Sequence, residues 1–247
     1  MKTFRMLLAA VSLVAMTALF VVPTVGLSVG LGWLPRLQLV PALLSGAVLV
    51  VVAIIVSALL FGRVYCSVVC PLGIAQDIAR RLARLVRFAR VGERRPMERC
   101  ARAVRLTVLV ASVVGWCFGC VGLVEPYAVF GRFLGCGVLR TGEPSVAMIV
   151  WSLGLFAFVL TMTVFAARWW CAYVCPVGTL LGLVSRFAVY RPRVDRGRCV
   201  GCGACVKTCD RGAIVRSADG KAAVDHSLCV SCFNCVGKCG KEALRWR

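Results

Sequence analysis

The sequence predicts an all-α membrane domain of four transmembrane helices, arranged as two parallel two-helix repeats, followed by a small α+β domain. Three observations lead to this fold class. Hydrophobic residues make up 60% of the 247-residue chain, one cysteine motif occurs twice, and four long intervals carry no charged side chain: 6–35, 37–62, 106–124 and 144–167. Each interval can hold a helix of about 17 to 25 residues, which is the length needed to cross a hydrocarbon core about 30 Å thick.

The positive charges lie almost entirely on one side of the four predicted spans. Of the 30 Lys and Arg residues, 27 fall in segments 1–5, 63–105 and 168–247. By the positive-inside rule, this bias predicts that the N-terminus and the C-terminal domain are cytoplasmic in a multi-pass inner-membrane protein. The first span is longer than the hydrophobic region of about 7 to 15 residues in a secretory signal, so we expect it to be retained.

Several classes of function are disfavoured by what the sequence lacks. The predicted topology accounts for the net charge of +20. No nucleic-acid recognition motif accompanies this charge, so we expect no nucleic-acid partner. No P-loop and no dinucleotide-binding glycine motif is present, so we expect no nucleotide partner. His226 is the only histidine, and no histidine follows the Cys117–Cys120 pair, so we expect no haem.

The repeated motif is Cys-x3-Cys-Pro-x-Gly, at residues 66–73 and 171–178. Because each repeat contains two spans, the two copies should have the same orientation. If the repeats pack about a local two-fold axis, four thiols converge at the cytoplasmic edge of the membrane: Cys66, Cys70, Cys171 and Cys175. Such a set suits an iron-sulfur centre or a soft metal such as Cu(I). The alternative is that these cysteines are small buried hydrophobic residues.

An amphipathic segment follows the first motif. Ile74, Ile78, Leu82, Leu85 and Ala89 recur at helical spacing, which predicts an interfacial basic helix over 74–95. The remaining surface carries four arginines: Arg80, Arg81, Arg84 and Arg87. These arginines either anchor the protein to anionic lipid or dock an acidic redox partner.

The C-terminal segment contains the pattern C-x2-C-x2-C-x3-C twice, at 199–209 and at 229–239. In such runs three closely spaced thiolates hold one cubane, while the fourth ligates the other cluster. We therefore predict two [4Fe-4S] clusters. Cluster 1 takes Cys199, Cys202, Cys205 and Cys239. Cluster 2 takes Cys229, Cys232, Cys235 and Cys209. Zinc ribbons use two separated Cys-x2-Cys pairs instead, and disulfides are disfavoured in a reducing cytoplasm.

This segment resembles the bacterial-type two-cluster ferredoxin domain, which divides the chain into a membrane domain at 1–194 and an α+β ferredoxin-like domain at 195–247. The resemblance implies two pseudo-symmetric halves, each with a short helix and a β-hairpin. The apolar pairs of the two halves are then Ala213-Ile214 and Ala243-Leu244. One departure is that Asp210 and Gly240 stand where a proline usually follows the fourth cysteine.

With both motifs in place, nearly the entire chain resembles the NapH-type membrane polyferredoxin family. The resemblance implies a membrane-bound electron-transfer protein that passes electrons between the quinone pool and a redox partner. It would then be an electron-transfer subunit of an oxidoreductase such as a quinol dehydrogenase, although whether the chain is itself an enzyme stays open. Two alternatives stay open as well. One is a copper-reducing assembly factor that uses the Cys-x3-Cys-Pro thiols, and the other is export of reducing equivalents to outer cysteines.

The smaller signals concern protons and the outer face. Quinone chemistry needs a proton acceptor near the bilayer edge. The polar candidates are Gln76 and Asp77 after the first motif, and Glu125 and Tyr127 at the outer interface. Each also fits a helix cap or a loop. Cys117 and Cys120 lie near the outer end of the third span, with Cys136 in the loop beyond, and they fit a redox-active dithiol, packing or a static disulfide.

Overall fold

The computed structural model describes residues 2–24, 34–86, 98–118, 125–135, 145–166, 168–209 and 211–246. Cys120, Cys136, Asp210 and the second half of the predicted interfacial helix lie outside the described residues. The helices of the first 190 residues are α1 (Lys2–Thr24), α2 (Leu39–Leu44), α3 (Val48–Phe61), α4 (Tyr65–Val68), α5 (Pro71–Leu85), α6 (Glu98–Cys117), α7 (Pro126–Arg132), α8 (Val146–Ala166) and α9 (Pro176–Val184).

Two of these helices are long and apolar enough to cross a membrane, over Thr3–Phe20 in α1 and Val146–Phe165 in α8. α3 and the Ala103–Cys117 part of α6 are apolar but shorter. At a rise of 1.5 Å per residue, the 14 residues of α3 cover about 21 Å, which is less than a hydrocarbon core. The four-span topology therefore stays a prediction.

Two helices differ in their bounds from the uncharged intervals of the sequence. The uncharged interval 37–62 does not form one continuous helix, because the chain turns between α2 and α3 at Gly46, whose φ of 69° is left-handed. Glycine adopts this conformation without the steric cost that other residues meet. α6 begins at Glu98, eight residues before the uncharged interval 106–124, so its first two turns carry charged residues.

The helices of the first and second halves follow one another in the same order. α1, α2, α3, α4 and α5 are matched by α6, α7, α8, a π-helical turn at Trp170–Val174, and α9. α5 of the first half packs against α8 of the second, and α9 packs against α3. This crosswise packing places both cysteine motifs in one core, which includes Leu39, Ile54, Leu72, Val159 and Leu181.

Gln38, at the start of α2, fastens that short helix to the first cysteine motif. The Tyr65 hydroxyl donates to Gln38 Oε1 at 2.6 Å and accepts from the Leu39 amide at 3.1 Å. Gln38 Nε2 donates to the Val69 carbonyl at 3.3 Å. Because Gln38 is almost fully buried, these bonds satisfy polar groups that water does not reach.

The C-terminal domain is built from two antiparallel strand pairs, α10 (Ala204–Thr208) and a 3-10 turn at Val236–Lys238. β2 (Ile214–Arg216) pairs with β3 (Ala222–Val224) in a hairpin. β1 (Pro192–Val194) pairs with β4 (Leu244–Trp246) across the domain. The expectation of one hairpin per half was therefore wrong for the second half, because the partner of the last strand precedes the first cysteine motif. The two apolar pairs at 213–214 and 243–244 are buried as expected.

The C-terminal domain is docked onto the helical part by polar contacts. Ser231 Oγ donates to the Phe61 carbonyl at 2.7 Å, and Ser185 Oγ donates to the His226 carbonyl at 3.0 Å. The buried side chain of Val230 joins the helical core directly. His226, which the sequence placed on an aqueous loop, is half-buried at this junction, and burial lowers the pKa of its imidazole.

Candidate functional site

The four cysteines of the repeated motif are brought together in the helical core. Cys66, Cys70, Cys171 and Cys175 are all buried, with 3% to 5% of each residue exposed. Cys70 and Cys175 each interact electrostatically with cysteines of the other motif, so the two motifs lie beside each other. The four thiols therefore share one region of the helical core. Below we call it the four-thiol site.

A spacing of four residues is typical of two side chains on one helix face. The two cysteines of each motif nevertheless do not lie on one continuous helix. α4 ends at Val68, and Cys70 has extended backbone angles before Pro71 begins α5. Cys175 has the same conformation before Pro176. A proline disfavours helical angles in the residue before it. The motif is therefore a tight turn, and this turn brings its two thiols together.

The glycine of each motif is required by a close approach of backbone to backbone. A Cβ at Gly73 would lie 2.3 Å from the Cys66 carbonyl oxygen, and a Cβ at Gly178 would lie 2.2 Å from that of Cys171. The Gly178 amide donates to Cys175 Sγ at 3.4 Å, and the Gly73 amide bonds to Cys70 in the same way. An N–H group directed at sulfur favours the thiolate, which is the form that ligates metals.

Two buried arginines link the motifs crosswise. Arg63 lies three residues before the first cysteine of its motif, and its NH2 donates to the Cys171 carbonyl at 3.0 Å. Arg168 lies at the same offset in the second motif, and its NH1 donates to the Cys66 carbonyl at 2.6 Å. The sequence showed a basic residue before each motif but no role for it. The equal offset was the signal that could have identified the pair.

The two arginines differ in their second partner. Arg168 NH2 lies 2.8 Å from Asp77 Oδ2, and its Nε donates to Oδ1 at 3.2 Å. The position that corresponds to Asp77 after the second motif is Gly182. There Arg63 NH1 donates to the Ser227 carbonyl at 2.8 Å, and a Cβ at Gly182 would lie 2.8 Å from the same oxygen. A carbonyl of the C-terminal domain therefore takes the place of a carboxylate.

Asp77 is the acceptor for several cations, which argues against a simple role as proton acceptor. Besides Arg168, it pairs with Arg211 of the C-terminal domain, and Arg5 NH1 lies 3.9 Å from its Oδ2. Gln76 is fully buried, and the Cys171 thiol donates to its Oε1 at 3.2 Å. With a Cys171 thiolate, a half-turn of this amide would direct Nε2 at the sulfur instead.

For one arginine of the predicted interfacial helix, the sequence pattern predicted a surface position and was wrong. Arg80 is buried, not at the surface, and its guanidinium donates to the Thr163 and Val164 carbonyls in the last turn of α8. The carbonyls of a last helical turn lack partners within the helix and carry partial negative charge, so they attract a cation. Ile78, Leu82 and Leu85 of the same helix remain exposed.

The eight cysteines of the C-terminal domain line two separate cavities. A cavity of about 280 Å³ has Cys199, Cys202, Cys205 and Cys239 in its wall. A second, smaller cavity has Cys209, Cys229, Cys232 and Cys235 in its wall. Each cavity wall thus contains three cysteines of one motif and the fourth cysteine of the other, while the assignment of cluster ligands stays a prediction. The chemistry of four thiols around a cavity fits a cubane, in which each thiolate binds a different iron.

The loops that carry these thiols use left-handed backbone at matching positions. Gly201 and Gly203 have φ of 70° and 73°, and Ser231 and Phe233 have φ of 54° and 59° at the equivalent positions of the second loop. The amides of Gly201 and Ser231 bond to the sulfurs of Cys199 and Cys229. Left-handed φ is uncommon outside glycine. The second loop therefore accepts strain to keep the same turn around its thiols.

The two cavities differ in environment. Cys202 is exposed, and backbone N–H groups of Ala222 and Gly201 lower the pKa of Cys199. In the second set, burial raises the pKa of Cys229 to about 12 and that of Cys235 to about 12. Cys232 packs against the helical core. The first cavity therefore faces solvent, and the second faces the helical part.

In the described part of the chain, no group of three or more His, Cys, Asp or Glu is placed to hold a single metal ion.

The remaining candidates are not brought to either thiol site. Glu125 is buried just before α7, and its Oε2 has no hydrogen-bond partner among the described residues. Tyr127 packs its ring against Phe20, with 5.8 Å between centroids. Cys117 is exposed near the end of α6.

Comparison with known families identifies the same segments. A family model described as a 4Fe-4S binding domain matches the chain twice, at residues 43–89 and 148–194. Each match contains one Cys-x3-Cys-Pro motif. A second model with the same description matches residues 192–215, which contain the first ferredoxin motif. No solved structure shows a significant match to the chain.

Several curated proteins are similar to the chain. The methylamine utilization ferredoxin-type protein MauN of Paracoccus denitrificans is 36% identical over 155 residues, covering 60% of this chain and 48% of the relative. The ferredoxin-type protein NapH of Escherichia coli is 30% identical over 178 residues, covering 70% of this chain and 55% of the relative. NapH of Haemophilus influenzae is 29% identical over 164 residues, covering 65% and 52%. The chain thus spans about half the length of the curated relatives it matches.

The motif glycines generate the first testable prediction. Gly73→Ala and Gly178→Ala should each lower the free energy of unfolding by about 1–3 kcal/mol, because the new methyl overlaps a carbonyl that the fold cannot easily move. Thermal unfolding of the purified protein in detergent measures the change. Gly154→Ala is the matched control, since a Cβ there meets no atom within 4 Å. Equal stability of all three variants would contradict the proposed close approach.

Gly182 generates the second prediction. Gly182→Ala should push the Ser227 carbonyl away from Arg63 and loosen the docked C-terminal domain, so hydrogen exchange should accelerate in peptides covering 59–62 and 226–231. Gly237→Ala, in the C-terminal domain, is the control, because a Cβ there meets no atom within 4 Å. Unchanged exchange in Gly182→Ala would show that this contact does not hold the domain in place.

Proposed function

Because the chain belongs to the NapH-type family of 4Fe-4S ferredoxin proteins, we propose that it is a membrane-bound electron carrier with three iron-sulfur centres. Two are the predicted ferredoxin clusters, and the third is a cubane at the four-thiol site. Its electrons would pass between the quinone pool and a redox partner on the cytoplasmic side. Each cubane, when bound, supplies a one-electron carrier whose potential depends on its surroundings.

The observation that carries this proposal is the convergence of four buried thiols between two buried arginines. Arg63 and Arg168 are only 2% and 4% exposed. Burying a guanidinium without a counter-charge is costly. Four thiolates around a cubane make an anion, because their charge exceeds the positive charge of the iron-sulfur core. Arg168 is already paired with Asp77, so it is mainly Arg63, which donates to carbonyl oxygens, that would favour an anionic group in the core and its more negative, reduced state.

The backbone and the amide side chain beside the thiols support the same assignment. The Gly73 and Gly178 amides are directed at Cys70 and Cys175, and the buried Gln76 amide contacts Cys171. N–H groups directed at sulfur raise the potential of an iron-sulfur centre, while burial excludes water from it. A site used only for packing would not need polar groups around its sulfurs.

The three thiol sets are arranged in an order that suits electron transfer from solvent to the helical core. The set with the exposed Cys202 is outermost. The set that includes Cys232 packs against the helical core and shares a cleft with Gln76, and Gln76 in turn contacts Cys171 of the four-thiol site. We therefore propose that the partner docks at the loop around Cys202 and that quinone reacts on the membrane side.

Membrane insertion is supported by α1 and α8 and by the apolar surface of the helical part. Large hydrophobic side chains on these helices are exposed, among them Val14 at 68% and Val150 at 64%. Exposed apolar patches of this kind mark surfaces that contact lipid or another protein. The excess of positive charge supports a cytoplasmic location for the C-terminal domain.

The number of irons tests the third centre. Anaerobically purified protein should contain about twelve irons per chain, three cubanes of four, and Cys66→Ser or Cys175→Ser should each lower this to about eight. Cys117→Ser is the control and should leave the iron content unchanged. About eight irons in the unsubstituted protein, or copper in place of the missing iron, would overturn the third cluster, and the copper result would favour the assembly-factor function.

The exchange of the fourth cysteines can be tested by EPR of the reduced protein. Cys239→Ser should alter the same signal as Cys199→Ser, and Cys209→Ser the same signal as Cys229→Ser, because each pair contributes ligands to one cluster. If Cys239→Ser instead altered the signal affected by Cys229→Ser, each motif would hold its own cluster.

Quinol added to the oxidised protein should bleach the cluster absorbance, and Cys66→Ser should abolish this reaction.

A further inference from the structure

A cleft at the junction of α1, α5 and the C-terminal domain is strongly basic. One carboxylate, Asp77, lies in its wall among six arginines: Arg5, Arg80, Arg81, Arg84, Arg168 and Arg211. Asp77 is within ion-pair distance of three of them. Among the described residues, the wall of the cleft therefore carries more arginines than carboxylates, and part of this positive charge is removed from water.

Two arginines of the cleft are buried, and each has a side-chain N–H group without a hydrogen-bond partner among the described residues. The side chains of Arg5 and Arg211 are 7% and 6% exposed. Arg5 Nε and Arg211 Nε each bury an N–H group that has no hydrogen-bond partner among the described residues. A buried donor without an acceptor costs about 1–3 kcal/mol, and more when it is charged. Among the described residues, these two N–H groups therefore have no acceptor, although Asp77 lies in the same cleft.

We propose that this cleft binds a phosphate group. Guanidinium groups present paired N–H donors whose geometry matches the oxygens of a phosphate. Two sources offer that group here: the headgroup of an anionic phospholipid, and free inorganic phosphate. Exposed apolar side chains flank the cleft, namely Ile78 and Leu82 on α5 and Phe4 on α1. They would suit the acyl chains of a lipid whose headgroup enters the cleft.

Such a ligand would couple the membrane surface to the docking of the C-terminal domain. Arg5 belongs to the first helix and Arg211 to the C-terminal domain, and in the described part of the chain Asp77 is the carboxylate that lies near both. A phosphate group held by both arginines would add a second bridge beside the cavity wall that contains Cys232. The inference does not depend on electron transfer, since it requires only that the two domains are docked.

The test uses the full chain with its clusters, purified in detergent, and measures the temperature of unfolding. Inorganic phosphate should raise it saturably, and chloride at the same ionic strength should not. In parallel, nanodiscs containing phosphatidylglycerol should stabilise the protein more than nanodiscs of phosphatidylcholine alone. Stabilisation by the lipid but not by inorganic phosphate identifies a headgroup, and the reverse identifies free phosphate. Either result supports the site.

Variants decide whether the effect comes from this cleft. Arg5→Gln should weaken phosphate or lipid binding about ten-fold, the loss of one charge-assisted contact. Arg81→Gln, at an exposed position of the same cleft, should weaken it in a variant whose folding is not in question. Arg193→Gln removes an exposed arginine of β1 and should leave binding unchanged. Iron content is measured for each variant, so that cluster loss is separated from loss of the anion site.

The proposal is overturned if neither phosphate nor phosphatidylglycerol stabilises the unsubstituted protein. It is also overturned if Arg193→Gln weakens binding as much as Arg5→Gln and Arg81→Gln do, because the effect would then reflect overall charge. A protein that lacks the third cluster but still responds to phosphate through Arg5 would disprove the proposed function and keep this site.

Discussion

The crosswise hydrogen bonds of Arg63 and Arg168 are the interactions on which the rest of the helical part depends. Each guanidinium reaches from one motif to the carbonyl of the first cysteine of the other. These bonds fix the distance between the two motifs, and therefore the shape of the four-thiol site. They also place two cations in the core, of which Arg168 is paired with Asp77, so it is mainly Arg63 that favours an anionic group at the site.

The same two arginines explain why the C-terminal domain sits where it does. Arg168 is neutralised by Asp77 within the helical part, whereas Arg63 is completed by the Ser227 carbonyl of the C-terminal domain. Gly182 makes room for that carbonyl. A nearly symmetric pair of motifs thus acquires one asymmetric partner, and this asymmetry directs the second ferredoxin loop, with Cys229 and Cys232, toward the four-thiol site.

Burial divides the three thiol sets into different electrostatic environments. In the first ferredoxin cavity, Cys202 is exposed and backbone N–H groups bond to Cys199. In the second cavity, burial raises the pKa of Cys229 to about 12. Low dielectric disfavours added negative charge, and neighbouring arginines oppose that effect. In the proposed function, Arg211 and Arg168 at the domain junction would therefore favour the reduced state of the inner centres.

The sequence by itself determined the thiol sets, because metal ligands must follow spacings that the metal chemistry dictates. The ferredoxin cysteines and the four motif cysteines were all selected by such spacings, and their role as ligands stays a prediction. It also determined the apolar segments that become α1 and α8. The tertiary structure alone decided the break at Gly46, the burial of Arg80, the pairing of β1 with β4, and the crosswise arginines. These features join residues far apart in the chain, often through carbonyl oxygens. A carbonyl is present in every residue, so no sequence pattern can mark the one that an arginine will reach.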